Sequence, residues 1–116
     1  MRGAKVRRYK VVIAQSGKTD VKNKKRYIME HFKYRDYAQS FSTKIKKAIQ
    51  ELAILPTGYG TTGFQYRGYD IYMKPTGNHL LLYTVDEEQM IVTVLRMLQD
   101  GMDWEQIIQR WLEGNA

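Results

Sequence analysis

His79-Leu80-Leu81-Leu82-Tyr83-Thr84-Val85 and Met90-Ile91-Val92-Thr93-Val94-Leu95-Arg96-Met97-Leu98, joined by Asp86-Glu87-Glu88-Gln89, decide the fold. Each run is apolar at consecutive positions, not at alternate ones. A strand of that kind needs cover on both faces, so these are central strands of a sheet between two layers. The short acidic connection makes them antiparallel, with its carboxylates at a solvated hairpin tip. Arg96 interrupts the second run. Counted along a regular strand it shares a face with Val92, Val94 and Leu98, where a charge needs a partner, a groove or a ligand. An ion pair with Asp70 or Asp100 is the structural expectation.

Upstream, Tyr69-Asp70-Ile71-Tyr72-Met73-Lys74 alternates. Tyr69, Ile71 and Met73 take one face and Asp70, Tyr72 and Lys74 the other. Pro75-Thr76-Gly77-Asn78 reads as a turn, so three strands form an antiparallel meander. Tyr59 to Gly68 is turn-rich, with room for a short strand around Phe64-Gln65-Tyr66-Arg67. Before it, Tyr37, Phe41, Ile45, Ala48, Leu52 and Leu55 recur at spacings of four and three, the cleanest helical stripe in the chain. Asp36 with Gln39 caps that helix, and Pro56 and Gly58 end it. A preceding helix runs from a cap at Thr19 to about Phe32 with Val21, Ile28 and Phe32 on one face, widened by Met29. Tyr9-Lys10-Val11-Val12-Ile13-Ala14 is a first strand, and Gln15-Ser16-Gly17-Lys18 breaks it. Downstream, Gln99-Asp100-Gly101 ends the last strand. Asp103 and Gln106 then cap a helix whose stripe is Trp104, Ile107, Ile108, Trp111 and Leu112. The order is β-α-α-β-β-β-α. The fold class is α+β, an antiparallel sheet with an N-terminal helix hairpin on one face and a short C-terminal helix.

The 116 residues suffice for one domain with a core of its own. The absence of cysteine excludes a disulfide scaffold, a thiolate metal site and a cysteine nucleophile. His31 and His79 sit on different elements, so no metal site is expected, and no phosphate-loop or dinucleotide fingerprint calls for a cofactor. No apolar run reaches membrane-spanning length, which fits a cytoplasmic protein. Net charge is +7, unevenly spread: residues 1–74 hold 17 basic and 5 acidic residues, and residues 75–116 hold 2 and 7. Arg2, Lys5, Arg7 and Arg8 make a basic arm over 1–8. A basic pole of this kind draws nucleic acid, ribosomes or an acidic protein. Nine tyrosines against three phenylalanines add ring surfaces of the kind that stack on bases. Arg67, Tyr69, Tyr72, Lys74 and Arg96 are therefore the candidates for binding a target or nucleic acid.

Three stretches also carry a family resemblance. They are the helix pair from Arg26-Tyr27-Ile28-Met29-Glu30-His31 to Leu55-Pro56, the strand Gly77-Asn78-His79-Leu80-Leu81-Leu82-Tyr83-Thr84-Val85, and Ile91–Leu98 followed by Gly101-Met102-Asp103. Over about residues 9–112 the chain resembles the RelE/ParE superfamily of type II toxins. The resemblance implies a single toxin domain over 1–116, cytoplasmic, basic and neutralised by an acidic antitoxin. Tyr9, Val11, Ile13, Arg96 and Trp104 are the expected antitoxin contacts, the first three on an open sheet edge. The long helix hairpin looks closer to the ParE branch, which inhibits growth by binding DNA gyrase without being an enzyme. A RelE-like, ribosome-dependent mRNA endonuclease is the alternative, and a toxin fold that only binds its partner is the third reading. Cleavage of RNA needs one group to take the 2′-hydroxyl proton and another to protonate the leaving oxygen. The candidates are Lys74, His79, Tyr83 and Arg96. The chain departs from the superfamily pattern at His79-Leu80, where arginine or tyrosine-arginine is frequent, and at Gln99, where the ParE-like pattern often has histidine.

Overall fold

A computed structural model describes residues 8–32 and 35–115. The basic arm through Arg7 and the side chain of Phe32 lie outside the described residues. The elements are β1 (Lys10–Ile13), α1 (Gln15–Phe32), α2 (Arg35–Leu52), a short 3-10 turn (Pro56–Gly58), β2 (Gly60–Tyr66), β3 (Tyr69–Thr76), β4 (His79–Asp86), β5 (Ile91–Gln99) and α3 (Trp104–Gly114). The sheet order is β1-β5-β4-β3-β2. β1 runs parallel to β5, and every other pairing is antiparallel. The helix hairpin carries the chain from β1 to the far edge, and the meander brings it back to β5.

Both faces of the central strands are covered, as their apolar runs require. Leu81, Tyr83 and Val85 join Val92, Val94 and Met97 beneath Ile28, Phe41, Ile45, Ala48 and Leu52 of the hairpin. Ile71, Leu82, Leu95 and Leu98 form the opposite core with Ile108 of α3. Asp103 caps α3 by accepting from the Gln106 N–H, and Trp104, Ile107, Trp111 and Leu112 pack around Ile108 as the stripe predicts.

Four expectations need correction. First, α1 begins at Gln15, so the segment read as a break is helical and Thr19 is not the cap. Gly17 belongs there because a Cβ would stand 3.1 Å from Ile13 Cγ2 and 3.2 Å from the Val94 carbonyl oxygen. A bare backbone lets the helix lie this close to β5 without pushing on the strand. Second, α2 spans Arg35–Leu52, which puts Asp36 in its first turn, where a carboxylate favours the helix dipole. Tyr37 and Leu55 lie off the buried stripe at 56% and 62% exposure. Third, the turn-rich segment is a seven-residue strand. Gly63, at φ 88°, lies within the register shift between Thr61 and Gln65, and Phe64 and Tyr66 reach the α3 core. The meander therefore has four strands. Fourth, Arg96 does not share a face with both Val94 and Leu98. Leu82 pairs with Arg96 while Tyr83 pairs with Val94. Leu95 is thus the extra residue of a bulge, and it sends Val92 and Val94 to one core and Leu98 to the other.

Candidate functional site

β5 is nine residues long and β1 only four, so β1 pairs Ile91–Val94 and leaves the rest of that edge. Bare N–H and C=O groups at a half-buried edge need partners, and the first turns of α1 supply them. The Ser16 hydroxyl donates to the Leu95 carbonyl at 2.7 Å. Asp20 Oδ2 accepts from the Met97 N–H at 2.9 Å and from Arg96 Nε at 2.6 Å. Asp20 Oδ1 accepts from Arg96 Nη2 at 3.0 Å. Both side chains are largely covered, 20% and 15% exposed. The ion pair expected for Arg96 thus exists, with Asp20 and not with Asp70 or Asp100. Sequence reasoning passed over Asp20, although an acid between Lys18 and Lys22 was the available signal.

Lys74 and Tyr83 lie two strands and one strand from β5, under the hairpin. Lys74 is 6% exposed. Its ammonium meets Glu51 Oε1 at 3.3 Å and sits 4.7 Å from the Tyr59 ring centroid. Tyr83 is fully buried and donates to the Pro56 carbonyl at 2.5 Å. Burial, then the neighbouring Tyr59 and Tyr72, push its phenol well above the ordinary range. Tyr72 stacks on it with centroids 5.5 Å apart. Burial is also the first cause of the raised Tyr72 phenol, followed by Asp70. Arg67 and Tyr69 are exposed at the β2–β3 hairpin. The Arg67 guanidinium covers the Tyr66 ring at 5.0 Å. Tyr69 donates to Asp86 Oδ2 at 3.1 Å, a hydrogen bond that raises its own phenol. The fold therefore does not gather Arg67, Tyr69, Tyr72, Lys74 and Arg96 onto one surface.

His79 stands apart from these. It opens β4 and faces Phe41 with ring centroids 5.3 Å apart. It lines a cleft of about 390 Å3 between the hairpin and the β3–β4 turn, with Lys24 and Lys44 at the rim. Burial, then Lys24 and Lys44, lower its imidazole below the ordinary value.

The other basic feature runs along the hairpin. Ile13, Val21, Ile45 and Ile49 floor a groove of about 340 Å3 between α1 and α2, bordered by Lys18, Lys22, Lys25 and Lys46. It adjoins β1, which is the last strand on its side of the sheet. Tyr9, Val11 and Ile13 are half-buried against the hairpin core. Trp104 lies on the opposite face, edge-on to Phe64 at 6.4 Å. The five expected antitoxin contacts thus divide between the two faces of the sheet. Among the described residues there is no cluster of three histidine or carboxylate side chains able to hold a metal, and no helix is long and apolar enough to cross a membrane.

A helix hairpin on one face of a mixed sheet, a terminal helix on the other and a lysine-bordered groove beside the parallel edge strand make a small basic α+β fold. The family model for the ParE toxin of the type II toxin–antitoxin system parDE matches residues 11–104. The chain belongs to that family. Among solved structures, the chromosomal ParDE system from P. aeruginosa is similar at TM-score 0.65 and 8% identity, covering 81% of this chain and 98% of that one. The toxin–antitoxin complex RelBE2 from Mycobacterium tuberculosis is similar at TM-score 0.54 and 17% identity, covering 79% and 98%. At those identities the likeness speaks to the fold. No curated protein sequence matches the chain.

Proposed function

We propose that this toxin arrests growth by binding DNA gyrase without acting as an enzyme, and that an acidic antitoxin segment neutralises it. One observation carries the reading. Of the four groups that could cleave RNA, Tyr83 is sealed in the core, Lys74 is tied to Glu51 beneath Tyr59, and Arg96 is held by Asp20. That leaves His79 as the one of the four not locked into the fold, with none of the other three free to share general acid–base chemistry with it. Arg96 acts as the clamp that fixes α1 on β5. The antitoxin segment folds as it binds, an apolar helix face on Ile13, Val21, Ile45 and Ile49 with acids opposite the bordering lysines, and an extended piece beside β1. The test adds purified protein to a gyrase supercoiling reaction and to a translating extract carrying labelled mRNA. Inhibited supercoiling with intact mRNA is expected. Ribosome-dependent cleavage of the mRNA with supercoiling unaffected would reverse the reading in favour of the endonuclease.

A further inference from the structure

Two described residues other than glycine have left-handed backbone, Arg67 at φ 53° and Met90 at φ 60°. The fold accounts for Met90, whose carbonyl accepts from the Lys10 N–H at 2.8 Å where β1 joins the sheet. It does not account for Arg67. Tyr66 pairs with Tyr69, so Arg67 and Gly68 make a two-residue hairpin loop. With Gly68 at φ 86°, both have the positive φ of a type I′ turn. Asparagine, aspartate or glycine suits the first position of such a turn, and a long side chain there is disfavoured. The Arg67 guanidinium lies 5.0 Å from the centroid of the Tyr66 ring, but an exposed contact of that kind returns no more than the conformation costs. Stability therefore gives no reason for arginine at this position.

The way the side chain is mounted does give one. Tyr66, against which the guanidinium rests, packs on Trp111 of α3 with ring centroids 5.0 Å apart. Trp111 in turn belongs to the shell around the buried Ile108. The cation is thus held on a ring anchored in the core, which limits the freedom it loses on binding. The ring takes one side of the guanidinium and leaves its fork of donors, which matches a carboxylate. Among the described residues Arg67 is in neither ion pair. The acids at this end of the sheet are engaged elsewhere: Asp70 accepts from Gln65 Nε2 at 2.9 Å, and Asp86 from the Tyr69 hydroxyl and the Gln89 N–H. Tyr69, across the turn, is 42% exposed. Arginine, tyrosine and tryptophan are the residues that dominate contacts between proteins. Asp70, Asp86, Glu87 and Glu88 gather at the neighbouring ends of β3, β4 and β5 and repel a phosphate backbone, so the surface fits a protein and not a nucleic acid. We infer that Arg67, mounted on Tyr66 and Trp111, anchors this toxin on its target protein by donating to a carboxylate of that protein. The inference rests on the growth-arrest reading and not on gyrase being the target, and neither the groove between α1 and α2 nor β1 takes part.

The test uses Arg67→Asn in the full-length protein, because asparagine suits the turn better than arginine does. Its melting midpoint should hold or rise. Growth arrest should weaken at the same time, read at equal protein level as roughly ten-fold or more colonies surviving induction. Arg67→Lys keeps the charge but lacks the planar fork, and should weaken arrest as well. Undiminished arrest in Arg67→Asn overturns the inference. So does a fall of arrest and midpoint together, which would make Arg67 a structural residue of the hairpin. Binding of a labelled single-stranded oligonucleotide by the parent, lost in Arg67→Asn, would overturn it in favour of nucleic acid. The gyrase reading is judged apart from this, by the parent in the supercoiling reaction: arrest that depends on Arg67 supports the inference even where supercoiling is untouched.

Discussion

The two halves of the outer edge of β5 are satisfied in different ways. Ile91 to Val94 pair with a strand, β1, through regular parallel backbone bonds. Leu95 to Met97 pair with a helix, through one hydroxyl and one carboxylate of α1. The switch takes place at Ala14, whose N–H still reaches the Val94 carbonyl at 2.8 Å and whose carbonyl already accepts from the Lys18 N–H. On the strand side each bond is one of several in a ladder, and the loss of one is shared. On the helix side Asp20 alone answers three donors, Arg96 Nε, Arg96 Nη2 and the Met97 N–H. A ladder tolerates substitution, whereas an edge held by a single carboxylate does not.

The largest effect should therefore come from Asp20→Ala, which strands a mostly buried guanidinium and a backbone N–H together. A loss of roughly 3–5 kcal/mol in chemical denaturation is expected. A loss below about 1 kcal/mol would put the helix side on the same footing as the ladder. Gly17→Ala comes next. Alanine favours a helix over glycine by about 1 kcal/mol, but here its Cβ would press on the Val94 carbonyl, which belongs to the sheet and cannot turn away. Net destabilisation of about 1–2 kcal/mol is expected from overpacking, read as a lower melting midpoint, and a rise would mean that α1 does not lie this close to β5. Ser16→Ala removes one neutral hydrogen bond to Leu95 and should cost about 1 kcal/mol by the same denaturation measurement.

The smallest effect lies past the clamp, where His79 pairs with Gln99 at the end of β5. Its imidazole is lowered by burial and by Lys24 and Lys44, so the folded state favours the neutral ring. The stability this provides is present above the unfolded histidine range near 6.5 and is lost as pH falls through the lower folded value. Denaturation midpoints across that interval should decline in the parent and flatten in His79→Gln.

The strand side of this comparison could be read in advance and the helix side could not. Val11-Val12-Ile13 and Ile91-Val92-Thr93-Val94 announce themselves as strands by β-branching. The helix stripe Phe41, Ile45, Ala48, Leu52 and the capped α3 stripe follow from spacing alone, and both are where the structure has them. Gln15-Ser16-Gly17-Lys18 misleads because its residues suit a turn locally, and only the approach of β5 makes glycine a helical residue there. The Leu95 bulge is equally silent, since a run of apolar residues reads the same in either register. Arg96 is conspicuous in such a run. Its partner is 76 residues earlier, and charge pairing at that separation is set by tertiary packing and by no local pattern. The burial of Thr76 Oγ1 and His79 Nε2 without a hydrogen-bond partner is likewise invisible until the hairpin and the helices meet.

The most direct test of the account measures growth arrest on induction and the melting midpoint of purified protein for Arg96→Ala, Asp20→Ala and the double variant. If Arg96 is a clamp, both single changes lower the midpoint and weaken arrest in parallel. The double change then costs less than the two summed, with a coupling of about 1–3 kcal/mol. Loss of arrest in Arg96→Ala at an unchanged midpoint, with Asp20→Ala fully toxic, would contradict the clamp and place Arg96 on the target instead.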